Sequence, residues 1–213
     1  MRFDSPTVTK HLIIINAIVF LGTQLNPDFM IRTFAMFYPA SPLFHPWQPV
    51  TYMFMHANFL HIFFNMYSLY LFGSILERTM GSRKFAIFYF LCGLGAVALH
   101  MGIQALEFSV GNSMAQLNVL RTPVLGASGA IYGLFVGYAM LYPNNVLSLF
   151  FPPVSMKAKW MMLIFVGMEL LIGVFQTSDG VAHFAHLGGA LVGVLLLLFW
   201  RRTGRLWDRD RWI

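Results

Sequence analysis

Apolar residues in this chain come in long unbroken runs. They do not alternate as in a half-exposed strand, nor recur every three to four positions as on a surface helix. Six runs stand out, approximately residues 9–25, 50–76, 85–105, 123–142, 158–175 and 181–200. Each is near the ~20 residues that a helix needs to cross ~30 Å of hydrocarbon. All ten prolines fall between these runs or at their ends, where a missing N–H does least harm. The five tryptophans, Trp47, Trp160, Trp200, Trp207 and Trp212, lie at or beyond span ends, the placement expected of interfacial anchors. The pattern predicts an all-α membrane protein, a bundle of six transmembrane helices.

Residues 26–49 form a long first loop that is unusually apolar. Phe29-Met30-Ile31 and Phe34-Ala35-Met36-Phe37-Tyr38 are too short to span. They read as two short interfacial helices in the outer leaflet, or as segments packed on the bundle.

Composition agrees with a membrane chain. Of 213 residues, 58% are hydrophobic and 10% charged, against about 25% charged in soluble domains. The run of spans predicts one helical core over residues 1–202 and a short basic tail over 203–213. The N-terminus carries nothing that reads as a cleavable signal or transit peptide. The lone cysteine, Cys92, excludes an intramolecular disulfide and reads as a small buried hydrophobe.

Charge sets the orientation. With six spans, the N-terminus, the second and fourth loops and the C-terminus share one side. That side holds twelve of the fourteen Lys and Arg residues, and the opposite side only Arg32 and Arg121. The positive-inside rule then places both termini in the cytoplasm. The same asymmetry accounts for the net charge of +6, so nucleic-acid binding is not expected.

Candidate chemistry lies inside the apolar runs. Ser128 sits between glycines in Gly126-Ala127-Ser128-Gly129, and His186 in Ala185-His186-Leu187-Gly188-Gly189. Both spans start on the outer side, which places Ser128 one to two turns below the start of its span and His186 at a similar depth. A serine in an apolar helix is most often a backbone-bonded spectator, whereas a buried histidine more often has a function. Gly129, Gly133 and Gly137 make one smooth helical face, and Gly189 and Gly193 make another. Small residues at this spacing let helix backbones approach, and approach is needed for a serine hydroxyl to reach an imidazole. His61 and Asn65 lie four apart on one face of the second span, with His56 nearby. They offer hydrogen-bond donors for an oxyanion. No H-E-x-x-H is present and no carboxylate or thiolate is close in sequence to these histidines, so no metal and no cofactor are expected.

The chain resembles the rhomboid family of intramembrane serine proteases along nearly its whole length. Gly126-Ala127-Ser128-Gly129 is similar to the family's G-x-S-G, which implies Ser128 as nucleophile. Ala185-His186-Leu187-Gly188-Gly189 with Gly193 resembles A-H-x-x-G-x-x-x-G, which implies His186 as base. His61-Ile62-Phe63-Phe64-Asn65 resembles the H-x-x-x-N of the oxyanion donors. Tyr132 matches a tyrosine that packs on the catalytic imidazole, and His56 a further histidine close to that site. Glu77-Arg78 with Gly81-Ser82 resembles a structural E-x-R region, although the two charges are adjacent here. Many members carry Trp-Arg in the first loop, with the arginine as a brace. This chain has Trp47-Gln48, so its loop is held in another way.

The resemblance implies an endopeptidase acting on transmembrane segments of membrane proteins, with lipids as its other partners, in a bacterial plasma or inner membrane. It implies a dyad with no acidic third member. Glu169, expected near mid-membrane, is given a packing or gating role, and Tyr132 fixes the imidazole instead. His183, one turn above His186, is expected nearer the surface, against water or the loop 176–180. Two other classes compete: a catalytically inactive rhomboid-like binding protein, and a transporter lined by His56, His61, Asn65 and Glu169. The orientation has its own check. A topology reporter fused to the C-terminus is expected to report the cytoplasm; an external signal would overturn the shared depth of Ser128 and His186.

Overall fold

The computed structural model describes residues 6–149, 153–175 and 182–204. Ten helices are present among these residues: α1 (Thr7–Leu25), α2 (Pro27–Phe34), α3 (Gln48–Thr51), α4 (Phe59–Ser68), α5 (Ser74–Met80), α6 (Ser82–Val110), α7 (Ser113–Arg121), α8 (Ser128–Leu141), α9 (Ala158–Phe175) and α10 (His183–Arg202). A π turn at Leu69–Gly73 joins α4 and α5 into one span, Phe59–Met80. Five helices are long and apolar enough to cross a membrane, and α8 is a shorter apolar sixth. The protein is a multi-pass membrane bundle. Its outward faces carry large apolar side chains such as Ile18, Leu21, Tyr70, Leu171 and Leu195.

Helices α6, α8 and α10 pack most closely with one another and form the centre of the bundle. Tyr52, Phe85, Phe88, Tyr89, Leu134 and Cys92 are fully buried there or nearby. The Tyr52 hydroxyl donates to the Gly93 carbonyl at 2.7 Å. Trp200, near the end of α10, is buried against Phe88, while Trp47 and Trp160 are exposed. Trp207, Trp212 and nearly all of the basic tail lie outside the described residues.

Two predicted spans begin differently from the sequence reading. Residues 50–58 are apolar, but they form the end of α3, a 3-10 turn at Tyr52–Phe54 and a loop, and the membrane helix starts only at Phe59, capped by the Asn58 side chain. Residues 123–127 are also not helical. Val124 forms an antiparallel bridge with Met36, with N–H···O distances of 2.9 and 2.8 Å. Ser128 therefore opens α8 instead of lying one to two turns inside it. The same bridge corrects the first loop. Phe29–Ile31 fall within α2, but Ala35 and Met36 are extended and, with Phe37, buried, because Met36 spends its backbone groups on Val124. A hairpin of β1 (Val146–Leu149) and β2 (Val154–Lys157) precedes α9.

Two polar side chains hold the frame. Glu77, 2% exposed, accepts from the Val8 and Thr9 amides, the Thr9 hydroxyl and the Ser82 hydroxyl at 2.6–2.9 Å. It supplies from another helix the acceptors that the first turn of α1 needs. Gln48 is fully buried. Its Nε2 donates to the Leu43 carbonyl at 2.8 Å and the Arg32 carbonyl at 3.2 Å, and its Oε1 accepts from the Phe37 amide at 3.2 Å. An uncharged amide thus braces the first loop and, through Met36, the segment leading to Ser128. Gln48→Ala leaves buried backbone groups unpaired and is expected to lower stability by about 1–3 kcal/mol, read as a lower melting temperature in detergent. An unchanged melting temperature would remove Gln48 from this role.

Candidate active site

Ser128 is the first residue of α8. The turn before it depends on Gly126, whose φ of 129° is open only to glycine and whose amide donates to the Tyr52 carbonyl at 2.9 Å. A Cβ on Gly126 would also lie 2.9 Å from the His61 ring. The glycine therefore serves both the turn and the approach of His61. Helix α8 has 14 residues, a rise of about 21 Å against a ~30 Å hydrocarbon layer. With its far end at one interface, Ser128 lies roughly 9 Å below the other.

His186 comes from the first turns of α10, and its Nε2 is 2.8 Å from Ser128 Oγ. Two glycines make this distance possible. A Cβ on Gly189 would stand 1.8 Å from the Gly129 carbonyl oxygen, and one on Gly133 would stand 3.1 Å from the Gly189 carbonyl oxygen. The Tyr132 ring stacks on the His186 ring, with centroids 4.4 Å apart and planes at 9°.

His61 and Asn65, on α4, face a cavity of about 300 Å³ that Ser128 and Tyr132 also line, with Phe64 and Ile131 among its apolar walls. His61 Nδ1 accepts from the Ala57 amide at 3.4 Å. That leaves the Nε2 side, beside Gly126, to carry the proton. One Asn65 amide hydrogen goes to the His61 carbonyl at 2.8 Å, and the second remains to donate. His56 is 1% exposed and meets His61 edge-on, with centroids 4.9 Å apart. Neither of its ring nitrogens has a hydrogen-bond partner among the described residues.

Glu169 and His183 are placed differently from the sequence reading. Glu169, on α9, is brought against α8 and α10 beside the Ser128–His186 pair. Its Oε1 accepts from the Tyr132 hydroxyl. Its Oε2 is 2.6 Å from His183 Nδ1 and 3.0 Å from His186 Nδ1. An acidic group therefore does stand beside the Ser–His pair. His183 is 7% exposed and turned onto this carboxylate, not out to water; the loop 176–180 lies outside the described residues. A carboxylate inside an apolar helix was the available signal, but its partners depend on how α9 is set against α8 and α10. Glu169, His183 and His186 are also the described group whose atoms could converge on a metal ion. Their 2.6 and 3.0 Å separations are hydrogen-bond distances, shorter than the ~3.3 Å between neighbouring ligands of a tetrahedral zinc.

The fold and site define a polytopic helical membrane protein that holds a serine–histidine pair beside a cavity lined by the serine. The family model for the Rhomboid domain matches residues 43–203, and the chain belongs to the rhomboid family. Curated relatives include Rhomboid protease AarA of Providencia stuartii, 28% identical over 70% of this chain and 54% of the relative. RHOMBOID-like protein 12, mitochondrial, of Arabidopsis thaliana is 30% identical over 88% and 56%. Rhomboid-like protease 3 of Toxoplasma gondii is 27% identical over 93% and 68%. The chain spans little more than half the length of the first two.

The glycine contact can be tested against a glycine in open space. Gly189→Ala is expected to destabilise the protein by about 1–3 kcal/mol by forcing α8 and α10 apart. Gly102→Ala, with nothing within 4 Å of the new Cβ, is expected to be neutral or stabilising by up to ~1 kcal/mol. Equal melting temperatures for the two variants would contradict the close approach.

Proposed function

We propose that this protein is an intramembrane serine endopeptidase that cleaves peptide bonds in or near transmembrane segments of membrane proteins through Ser128 and His186. The observation that carries the reading is the 2.8 Å contact between Ser128 Oγ and His186 Nε2, with Ser128 lining a cavity that His61 and Asn65 also line. His186 Nε2 takes the hydroxyl proton as Ser128 Oγ attacks the substrate carbonyl. The carbonyl oxygen gains the negative charge. The Ser128 amide, unpaired at the start of α8, receives it together with His61 Nε2–H and the free amide hydrogen of Asn65. His186 returns the proton to the leaving amine, and an acyl-enzyme forms on Ser128. A water entering from the nearer surface gives a proton to His186 and attacks the ester, and His186 passes that proton to Ser128 Oγ as the acyl–oxygen bond breaks and the new carboxyl terminus leaves.

A cavity of this depth suits peptide bonds near the membrane surface. A helical peptide bond is shielded by its own hydrogen bonds, so segments weakened by Gly or Pro are the preferred substrates. Lipids are the other partners, the membrane we propose is a bacterial plasma membrane, and the asymmetry of basic residues supports cytoplasmic termini. A catalytically inactive binding protein has no need of a serine held in hydrogen-bond contact with a histidine.

In liposomes containing a model transmembrane substrate, Ser128→Ala and His186→Ala are each expected to abolish cleavage while the proteins remain folded. The double variant is expected to be no worse than either single one, because the two side chains act as one unit. Wild-type cleavage by Ser128→Ala would end the serine-protease reading.

A further inference from the structure

We propose that Glu169 is a positioning residue for His186, a carboxylate from α9 that faces the ring nitrogen opposite Ser128 and offsets the charge the ring gains during the reaction. This rests on the proposed function. His186 Nε2 must accept the Ser128 proton, so the neutral ring carries its own proton on Nδ1. That nitrogen is buried and has no aligned acceptor among the described residues. Glu169 Oε2 stands 3.0 Å away, off the line of the N–H. Catalytic hydrogen bonds are often poorly aligned before substrate binds, and a small rotation of the ring closes this one.

The carboxylate is itself held. Tyr132 donates to Oε1 from α8, and His183 Nδ1 lies 2.6 Å from Oε2 on α10. A carboxylate has about four acceptor sites, which leaves room for His186. Tyr132 serves both sides of the arrangement. Its face stacks on the His186 ring and its hydroxyl fixes the carboxylate. Stacking restrains the imidazole against tilting, and Glu169 restrains its rotation in plane. When Ser128 yields its proton, His186 becomes a cation in apolar surroundings, where an unpaired charge is costly. The adjacent carboxylate converts it into a hydrogen-bonded ion pair.

A purely structural tie from α9 to α8 and α10 would need hydrogen bonds but no charge. Glu169→Gln separates the two, because the amide keeps the shape and an acceptor oxygen. The readouts are turnover and KM on a transmembrane substrate, and the rate at which a fluorophosphonate probe reacts with Ser128. Glu169→Gln is expected to lower turnover by about 10- to 1000-fold, since loss of the acidic partner in other serine proteases costs up to ~10⁴ and Tyr132 still holds the ring here. KM is expected to stay within about threefold, as the group acts on the transition state. The probe reaction is expected to slow by a similar factor, and Glu169→Asp, which keeps the charge, is expected to recover part of both rates. Wild-type probe labelling by Glu169→Gln would overturn the proposal, even if substrate cleavage fell, because that result describes a gate. Should Glu169→Gln fail to fold, Glu169→Asp decides: partial activity supports the charge, and complete inactivity in a folded Asp variant overturns it. Absence of labelling in wild type would instead sink the proposed function itself.

Discussion

The backbone contact between α8 and α10 is the constraint on which the site depends. Helices in lipid gain little from apolar burial against one another, so close packing must supply the association. Here the Gly129 carbonyl lies where a side chain on Gly189 would begin. One turn or less from that contact, on the same two helices, are Ser128 and His186. Their 2.8 Å contact follows from the distance between the two backbones. Elements farther out maintain it: Cys92 fills the notch over Gly133, and the Met36–Val124 bridge fixes the segment that delivers Ser128.

Three polar side chains in this bundle stand where several donors or acceptors converge. Glu77 takes four hydrogen bonds at the start of α1, and Gln48 satisfies carbonyls and an amide of the first loop. Glu169 gathers Tyr132 and His183 within reach of His186. An unpaired polar group in apolar surroundings is expensive, so each of these side chains fixes the elements that surround it. The same physics that stabilises the frame sets the orientation of the imidazole.

Much of this was legible in the sequence. Long apolar runs revealed six crossings, and glycines four apart beside Ser128 and His186 pointed to the contact. Hydropathy could not separate residues 50–58 and 123–127 from helix, because both are apolar. Their backbone groups are satisfied by turns and by the first loop, partners remote in sequence. The hairpin at Val146–Lys157 was too short and too mixed in pattern to read. Glu169 was visible as an intramembrane carboxylate, but its closeness to His186 depends on the level and rotation of α9, which no local pattern encodes. His183 was misplaced for the same reason, since its partner lies on another helix.

The central claim is that this bundle activates one serine through one histidine beneath the membrane surface. The most direct measurement is mass-spectrometric mapping of the membrane-embedded protein after reaction with a fluorophosphonate. The account predicts one phosphonyl group per chain, on Ser128, and none when His186 is replaced by alanine. An adduct on another residue, or an adduct on Ser128 that forms equally well without His186, would contradict it.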